Sequence, residues 1–189
     1  MKTSFILFFI FCSIMSGWTQ DVQNPDSSQA EEVTKVYLVR HGERDPGDNP
    51  PLNDKGKIRA EQLRELLADS GITVIYCPNL LRNQQTAEPL AKHLGITIQT
   101  LPDTFIQDPR GLAKYFISEI LPHHQGDNIL FVGNQKSSGK DKIGNLQALY
   151  LKLGGKTTLL TRYSDMHTII IKADTTEFNH RTYGDLSDN

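Results

Sequence analysis

Residues 35–42 read Lys35-Val36-Tyr37-Leu38-Val39-Arg40-His41-Gly42. The apolar run from Val36 to Val39 suits a short strand buried on both faces, as strands inside parallel sheets are. A guanidinium, an imidazole and a residue without a side chain stand just past its carboxyl end. Ligands of open α/β sheets bind beyond the carboxyl ends of their strands. This stretch therefore predicts both the sheet and the place where chemistry collects.

Working outward, residues 42–55 are rich in Gly, Pro, Asn and Asp and read as loop. A helix is predicted from Lys57 to Ser70, with Ile58, Leu63, Leu66 and Leu67 as its apolar residues and Gly71 as its stop. Strand Ile72–Tyr76, helix Gln84–Leu94 closed by Gly95, and strand Ile96–Leu101 follow. Next come helix Leu112–Leu121 ended by Pro122, strand Asn128–Val132, and helix Lys142–Leu153 ended by Gly154-Gly155. Leu159–Tyr163 and Thr168–Lys172 read as final antiparallel strands at a sheet edge, and residues 174–189 as a loosely held polar tail. The alternation predicts an α/β three-layer sandwich: a mainly parallel central sheet, helices on both faces and an antiparallel edge.

The N-terminus has the layout of a secretory signal peptide over residues 1–19. Lys2 precedes the apolar stretch Phe5–Met15, and Gly17 and Thr19 supply small residues before a cut at Gln20. That run is short of the roughly 20 residues a spanning helix needs, so a cleaved leader is favoured over an uncleaved anchor. The product is expected to be exported, periplasmic or extracellular, with no stable membrane insertion. Cys12 follows Phe11 rather than a small residue, which disfavours lipidation. Residues 20–34 form a polar linker and residues 35–173 the domain. Losing Lys2 with the leader moves the formal net charge from −2 to −3. Nothing is basic enough to suggest nucleic acid or an anionic lipid surface. Cys77, the one cysteine beyond the leader, ends an apolar run and reads as a small buried hydrophobe.

Three further patterns join Arg40-His41-Gly42: Leu52-Asn53-Asp54-Lys55-Gly56 ahead of the first helix, Arg82 after the second strand, and Thr86-Ala87 beyond it. Together they resemble the histidine phosphatase (phosphoglycerate mutase-like) superfamily, well over about residues 35–100 and loosely over 128–172. The resemblance implies a phosphatase acting on a small phosphomonoester or phosphoramidate, with no cofactor and no metal. It implies that Arg40 and Arg82 clamp the phosphoryl group, and that His41 attacks phosphorus to form a phosphohistidine that water hydrolyses. Guanidinium groups suit that task because they are planar, always charged and able to grip two phosphate oxygens. The attacking imidazole must be neutral, its other nitrogen donating to a backbone carbonyl.

The sequence departs from the family pattern after the fourth strand. Gly-His is the usual pair there; this chain has Gly133-Asn134. An amide can donate a hydrogen bond but cannot bring a positive charge. Asn134 is then a neutral substitute donor to the phosphate, and Lys136 or Lys140 can restore charge. Two readings stay open: a weakened phosphatase, and a non-catalytic phosphate-binding or scaffold relative. The general acid has three candidates by residue type: Glu43, Asp103 and Asp108. Substrate identity and oligomeric state are not legible.

Two other patterns stand in the chain. Gly133 to Asp141 echoes a nucleotide-binding loop, but its glycines are one residue too far apart and Asp141 replaces the hydroxyl residue. His123-His124 reads as a surface pair rather than a metal site, because adjacent side chains on a helix point apart.

Overall fold

A computed structural model of the chain describes residues 32–136, 142–159 and 161–184. The predicted leader, Cys12, nearly all of the linker and Lys140 lie outside the described residues. Six strands form one sheet in the order β3-β2-β4-β1-β5-β6. They are β1 (Thr34–Arg40), β2 (Ile72–Pro78), β3 (Ile98–Leu101), β4 (Asn128–Gly133), β5 (Asp165–Ile171) and β6 (Thr176–Thr182). β1 pairs with β4, β4 with β2, and β2 with β3, all in parallel. β5 runs antiparallel to β1, and β6 antiparallel to β5. The sandwich architecture, with its parallel centre and antiparallel edge, is the one the alternation of elements predicts.

Alternation along β1 divides the core. Val36 and Leu38 face a cluster with Leu112 and Phe116 of α3 (Pro109–Tyr115) and the turn after it, and with Leu146 and Leu149 of α4 (Asn145–Lys152). Tyr37 and Val39 face a second cluster with Leu63 and Leu67 of α1 (Asp54–Leu67) and Leu90 of α2 (Leu81–Leu94). The helices thus cover the sheet as two layers. Phe116, Phe131 and Leu130 are fully buried.

Helix starts shift by about a turn from the predicted ones because their caps come from outside the apolar pattern. Asn53 Oδ1 accepts the Gly56 N–H at 3.0 Å and starts α1 at Asp54. Asn49, far away in the preceding loop, accepts the Leu81 N–H at 3.0 Å and lets α2 begin at Leu81. At α4 the shift is opposite. Gly144 packs against the Asn134 and Gln135 backbone, and the helix begins only at Asn145. Loop 42–53 is braced by an isolated bridge between Arg44 and Leu52 and by the Asn53 N–H donating to the Glu43 carbonyl at 3.0 Å.

The C-terminal reading needs correction. The described residues of the expected strand Leu159–Tyr163 lie outside any strand, and β5 starts at Asp165. Part of the predicted tail, Thr176–Thr182, is β6, and Tyr183 behind it is buried. Every β6 residue is exposed, so its side chains carry no apolar signal. Backbone hydrogen bonds to β5 hold it, and those are independent of side-chain polarity. Among the described residues no helix is long and apolar enough to cross a membrane.

A chain ending at Ala173 should therefore melt about 5–10 °C below the full-length protein, since it loses the β6 pairing and the burial of Tyr183. Unchanged thermal midpoints by circular dichroism would mean that residues 174–189 are the inert tail their composition suggests.

Candidate active site

The register of β1 against β4 places Arg40 opposite Gly133. The His41 N–H then donates to the Gly133 carbonyl at 3.0 Å, which brings the two strand ends together. Gly42 is where the loop turns under α1. A Cβ on Gly42 would lie 2.8 Å from the Gly56 carbonyl oxygen, and one on Gly56 would strike the Glu43 carbonyl. The glycines after His41 and at the start of α1 are thus two sides of one backbone contact. The Gly42 N–H donates to Thr86 Oγ1 at 2.9 Å, and that hydroxyl donates to the Arg82 carbonyl at 2.7 Å. Thr86 therefore ties the loop bearing His41 to the first turn of α2, which carries Arg82.

His41 is 4% exposed. Its Nδ1 lies 2.7 Å from the Gly42 carbonyl oxygen. A carbonyl only accepts, so Nδ1 carries the proton and Nε2 keeps its lone pair. Burial pushes the imidazole down from 6.5 to about 3, with the charges of Arg82, Arg40 and Arg44 adding to it and the Gly42 carbonyl opposing it. The ring is a neutral base in a cationic setting.

Arg40 leaves the same strand end. Its guanidinium carbon stands 3.7 Å from the centre of the Tyr163 ring, and Nη1 donates to the Thr161 carbonyl at 3.3 Å. The Tyr163 ring also meets His41 edge-on, with centroids 5.9 Å apart. Arg82 Nη2 donates to Asn134 Oδ1 at 3.0 Å. The Asn134 N–H donates to Asn145 Oδ1 at 2.7 Å, which fixes that turn at the start of α4. Arg82 Nε is buried with no hydrogen-bond partner among the described residues. A cavity of about 300 Å³ is lined by Arg44, Arg82, Asn134, Lys136 and Asn145 against Leu80, Ile106 and Pro109. Arg40 and His41 are not part of that lining; the strand register and the His41–Gly133 hydrogen bond set their backbone beside Gly133, the neighbour of Asn134.

Arg40, His41, Arg82 and Asn134 therefore lie together, at the strand ends the sequence indicates. The three carboxylates considered as general acids have other tasks. Glu43 forms a buried two-pronged ion pair with Arg59, at 2.6–2.9 Å. Asp108 accepts the Gly111 N–H and caps α3. Asp103 is exposed and accepts from Asn79 at 3.0 Å. His124 bonds the Tyr76 hydroxyl and Asp127, so it braces β2 against the turn before β4. Burial pushes the Cys77 thiol up to about 12, which leaves it protonated and inert. Sequence reading missed Arg44, Thr161 and Tyr163. Arg44 is two residues past the Arg40-His41-Gly42 motif, and Tyr163 lies in a stretch whose apolar content suggests a strand.

The site thus joins a neutral imidazole of fixed tautomer to several guanidinium groups at the strand ends of a parallel sheet. Residues 36–104 match the model of the histidine phosphatase superfamily (branch 1). The probable phosphoglycerate mutase GpmB of Enterobacter sp. (strain 638) is 34% identical over 102 residues, which cover 50% of this chain and 47% of that protein. The same-named protein of Cronobacter sakazakii is 37% identical over 86 residues, or 41% of this chain and 37% of that one. The chain thus spans less than half the length of these curated relatives. The likeness to that superfamily thus rests on residues 36–104 and on these partial matches.

Solved structures extend the likeness in fold. The protein histidine phosphatase SixA complexed with tungstate superposes with a TM-score of 0.59 at 17% identity, covering 78% of this chain and 96% of that one. A putative α-ribazole-5′-P phosphatase from Escherichia coli gives 0.60 at 18% identity, covering 80% and 97%.

Two outcomes follow. His41 should stay neutral, with its proton on Nδ1, in ¹⁵N-detected NMR titrations down to about pH 4; a midpoint near 6.5 would contradict the buried setting. An unfolded chain takes up this proton from about pH 6.5 downward while the folded one resists until about 3. The stabilising contribution of neutral His41 is thus complete above 6.5 and is lost as pH falls toward 3. Separately, Glu43→Ala deprives the buried Arg59 charge of its carboxylate and should cost about 3–5 kcal/mol in urea unfolding. A cost below about 1 kcal/mol would remove the ion pair from the account of how the loop is held.

Proposed function

We propose that this protein hydrolyses a small phosphomonoester or phosphoramidate, without a metal, through a phosphohistidine on His41. In this reading Arg40 and Arg82 hold the phosphoryl oxygens. The Nε2 lone pair of His41 attacks phosphorus, the bond to the leaving group breaks, and the leaving group departs with the electron pair. Water then attacks the phosphohistidine, releasing phosphate and restoring the neutral ring. The observation that carries the reading is the locked tautomer: Nδ1 is held by the Gly42 carbonyl, so the nucleophilic nitrogen is free at neutral pH. Catalysis of this type is positioning plus electrostatic stabilisation, which a cluster of guanidinium groups supplies.

Asn134 occupies the position of the family's second histidine in this proposal. Its oxygen accepts from Arg82, so its amide N–H groups face the other way and remain for the phosphate. A neutral donor in place of a charged one slows the reaction; the loss of one such donor costs about 10²–10³ in rate. With Glu43, Asp103 and Asp108 engaged elsewhere, the substrate needs a leaving group that departs easily. A phosphoramidate nitrogen meets that need. One observation favours the alternative of phosphate binding without turnover. Arg82 is already engaged by a neutral acceptor, an arrangement suited to holding an anion and exchanging it. We further propose that residues 1–19 direct export and that residues 20–34 tether the domain.

The test is aryl phosphate hydrolysis by the protein without residues 1–19, alongside His41→Ala and Asn134→His. Slow turnover is expected, abolished in His41→Ala and raised about 10–100-fold in Asn134→His. Acid-labile labelling should appear in the wild type and vanish in His41→Ala. Background rates in all three, with tight tungstate binding, would establish the binding reading instead.

A further inference from the structure

Residues 161–164, which overlap the expected strand Leu159–Tyr163, reach the site from the antiparallel side of the sheet. We propose that Tyr163 is a positioning residue for phosphate capture: its ring supports the Arg40 guanidinium, and Asp165 pins the loop that carries it. The inference rests on the phosphate-binding reading above and assigns this loop a task within it.

The contacts form a continuous chain. The Asp165 side chain is fully buried at the first residue of β5. It accepts from the Arg162 N–H at 2.7 Å, from Arg162 Nε at 3.2 Å and Nη2 at 3.1 Å, and it pairs with His180 Nε2 of β6 at 2.8 Å. The Asp165 N–H donates back to the Arg162 carbonyl at 3.2 Å, closing a tight turn around Tyr163 and Ser164. The Tyr183 N–H donates to the Ser164 carbonyl at 2.9 Å, so the end of β6 holds the turn from a second side. Tyr163 is thereby presented to Arg40 at 3.7 Å, and Thr161 offers its carbonyl to the same guanidinium. A cation held over an aromatic face is attracted by the ring's quadrupole, more strongly where water is excluded. Arg40 has several side-chain torsions to fix before it can grip an anion with two nitrogens. A ring on one side and a carbonyl on another fix them in advance, which lowers the ordering cost of binding.

This account separates the ring from the hydroxyl. Phenylalanine keeps the π face and leucine does not. Tungstate and inorganic phosphate binding are measured by calorimetry at fixed salt on the wild type, Tyr163→Phe and Tyr163→Leu, with thermal midpoints recorded for each. Tyr163→Phe should bind within about twofold of the wild type, and Tyr163→Leu about tenfold more weakly. The weakening should shrink to about twofold when leucine is introduced into Arg40→Lys, because the guanidinium partner is then already gone. A second readout needs no variant at position 163: in the wild type the Arg40 side-chain N–H resonances, assigned with Arg40→Lys, should be shifted upfield by the ring current.

Equal affinity in Tyr163→Leu, an equal loss in Tyr163→Phe and Tyr163→Leu, or an unshifted Arg40 signal overturns the role of the ring while leaving phosphate binding intact. If the wild type binds neither anion, the phosphate reading falls and this inference with it.

Discussion

One backbone hydrogen bond organises the site: the His41 N–H donating to the Gly133 carbonyl where β1 and β4 end together. It continues the parallel ladder one residue beyond the strands and fixes the relative height of two loops separated by about ninety residues. Above it the polypeptide must turn sharply, and it does so where two glycines meet. Side chains on Gly42 or Gly56 would collide with backbone, not with the flexible end of a neighbour, so little adjustment could absorb them. The close approach lets Glu43 reach Arg59 on α1 and lets the Gly42 N–H reach Thr86 on α2.

Electrostatics follow from that backbone frame. A buried imidazole surrounded by guanidinium groups cannot easily take a proton, and the frame places a carbonyl where only an N–H can face it. The tautomer is decided by position rather than by a tuned acid. The cavity lining carries Arg44, Arg82 and Lys136 and, among the described residues, no carboxylate, with Glu43 paired to Arg59 and Asp108 capping a helix. Such a field favours a multiply charged anion over a neutral ligand. The buried ion pair behind the loop acts as an anchor. Its desolvation is offset by two-pronged geometry, and breaking it leaves a buried charge without its counter-ion.

Much of the architecture was legible because apolar burial is its cause. Val36–Val39 and Ile129–Val132 are buried on both faces, and a run of that kind can hardly be anything but a central strand. Arg40, His41 and Arg82 were legible for a related reason: polar residues just after such strands have the strand ends as their only address. Helix starts were less legible, since Asn49 caps α2 from more than thirty residues away. β6 was invisible, because seven exposed residues carry no pattern and the pairing is made by the backbone alone. Tyr163 was read as strand because its local apolar content outweighed the Asp165 turn, whose partners lie on β5 and β6.

The amino-acid sequence by itself determined which segments are buried, and hence the layered sheet and the end of it that carries the arginines and the histidine. Apolar periodicity is a local property, so it survives in one dimension. Tertiary structure alone decided which nitrogen of His41 bears its proton, that Glu43 belongs to Arg59, that Asn134 touches Arg82, and that Tyr163 lies against Arg40. Each of these is a directional contact between groups distant along the chain, and its geometry exists only once the strands are in register.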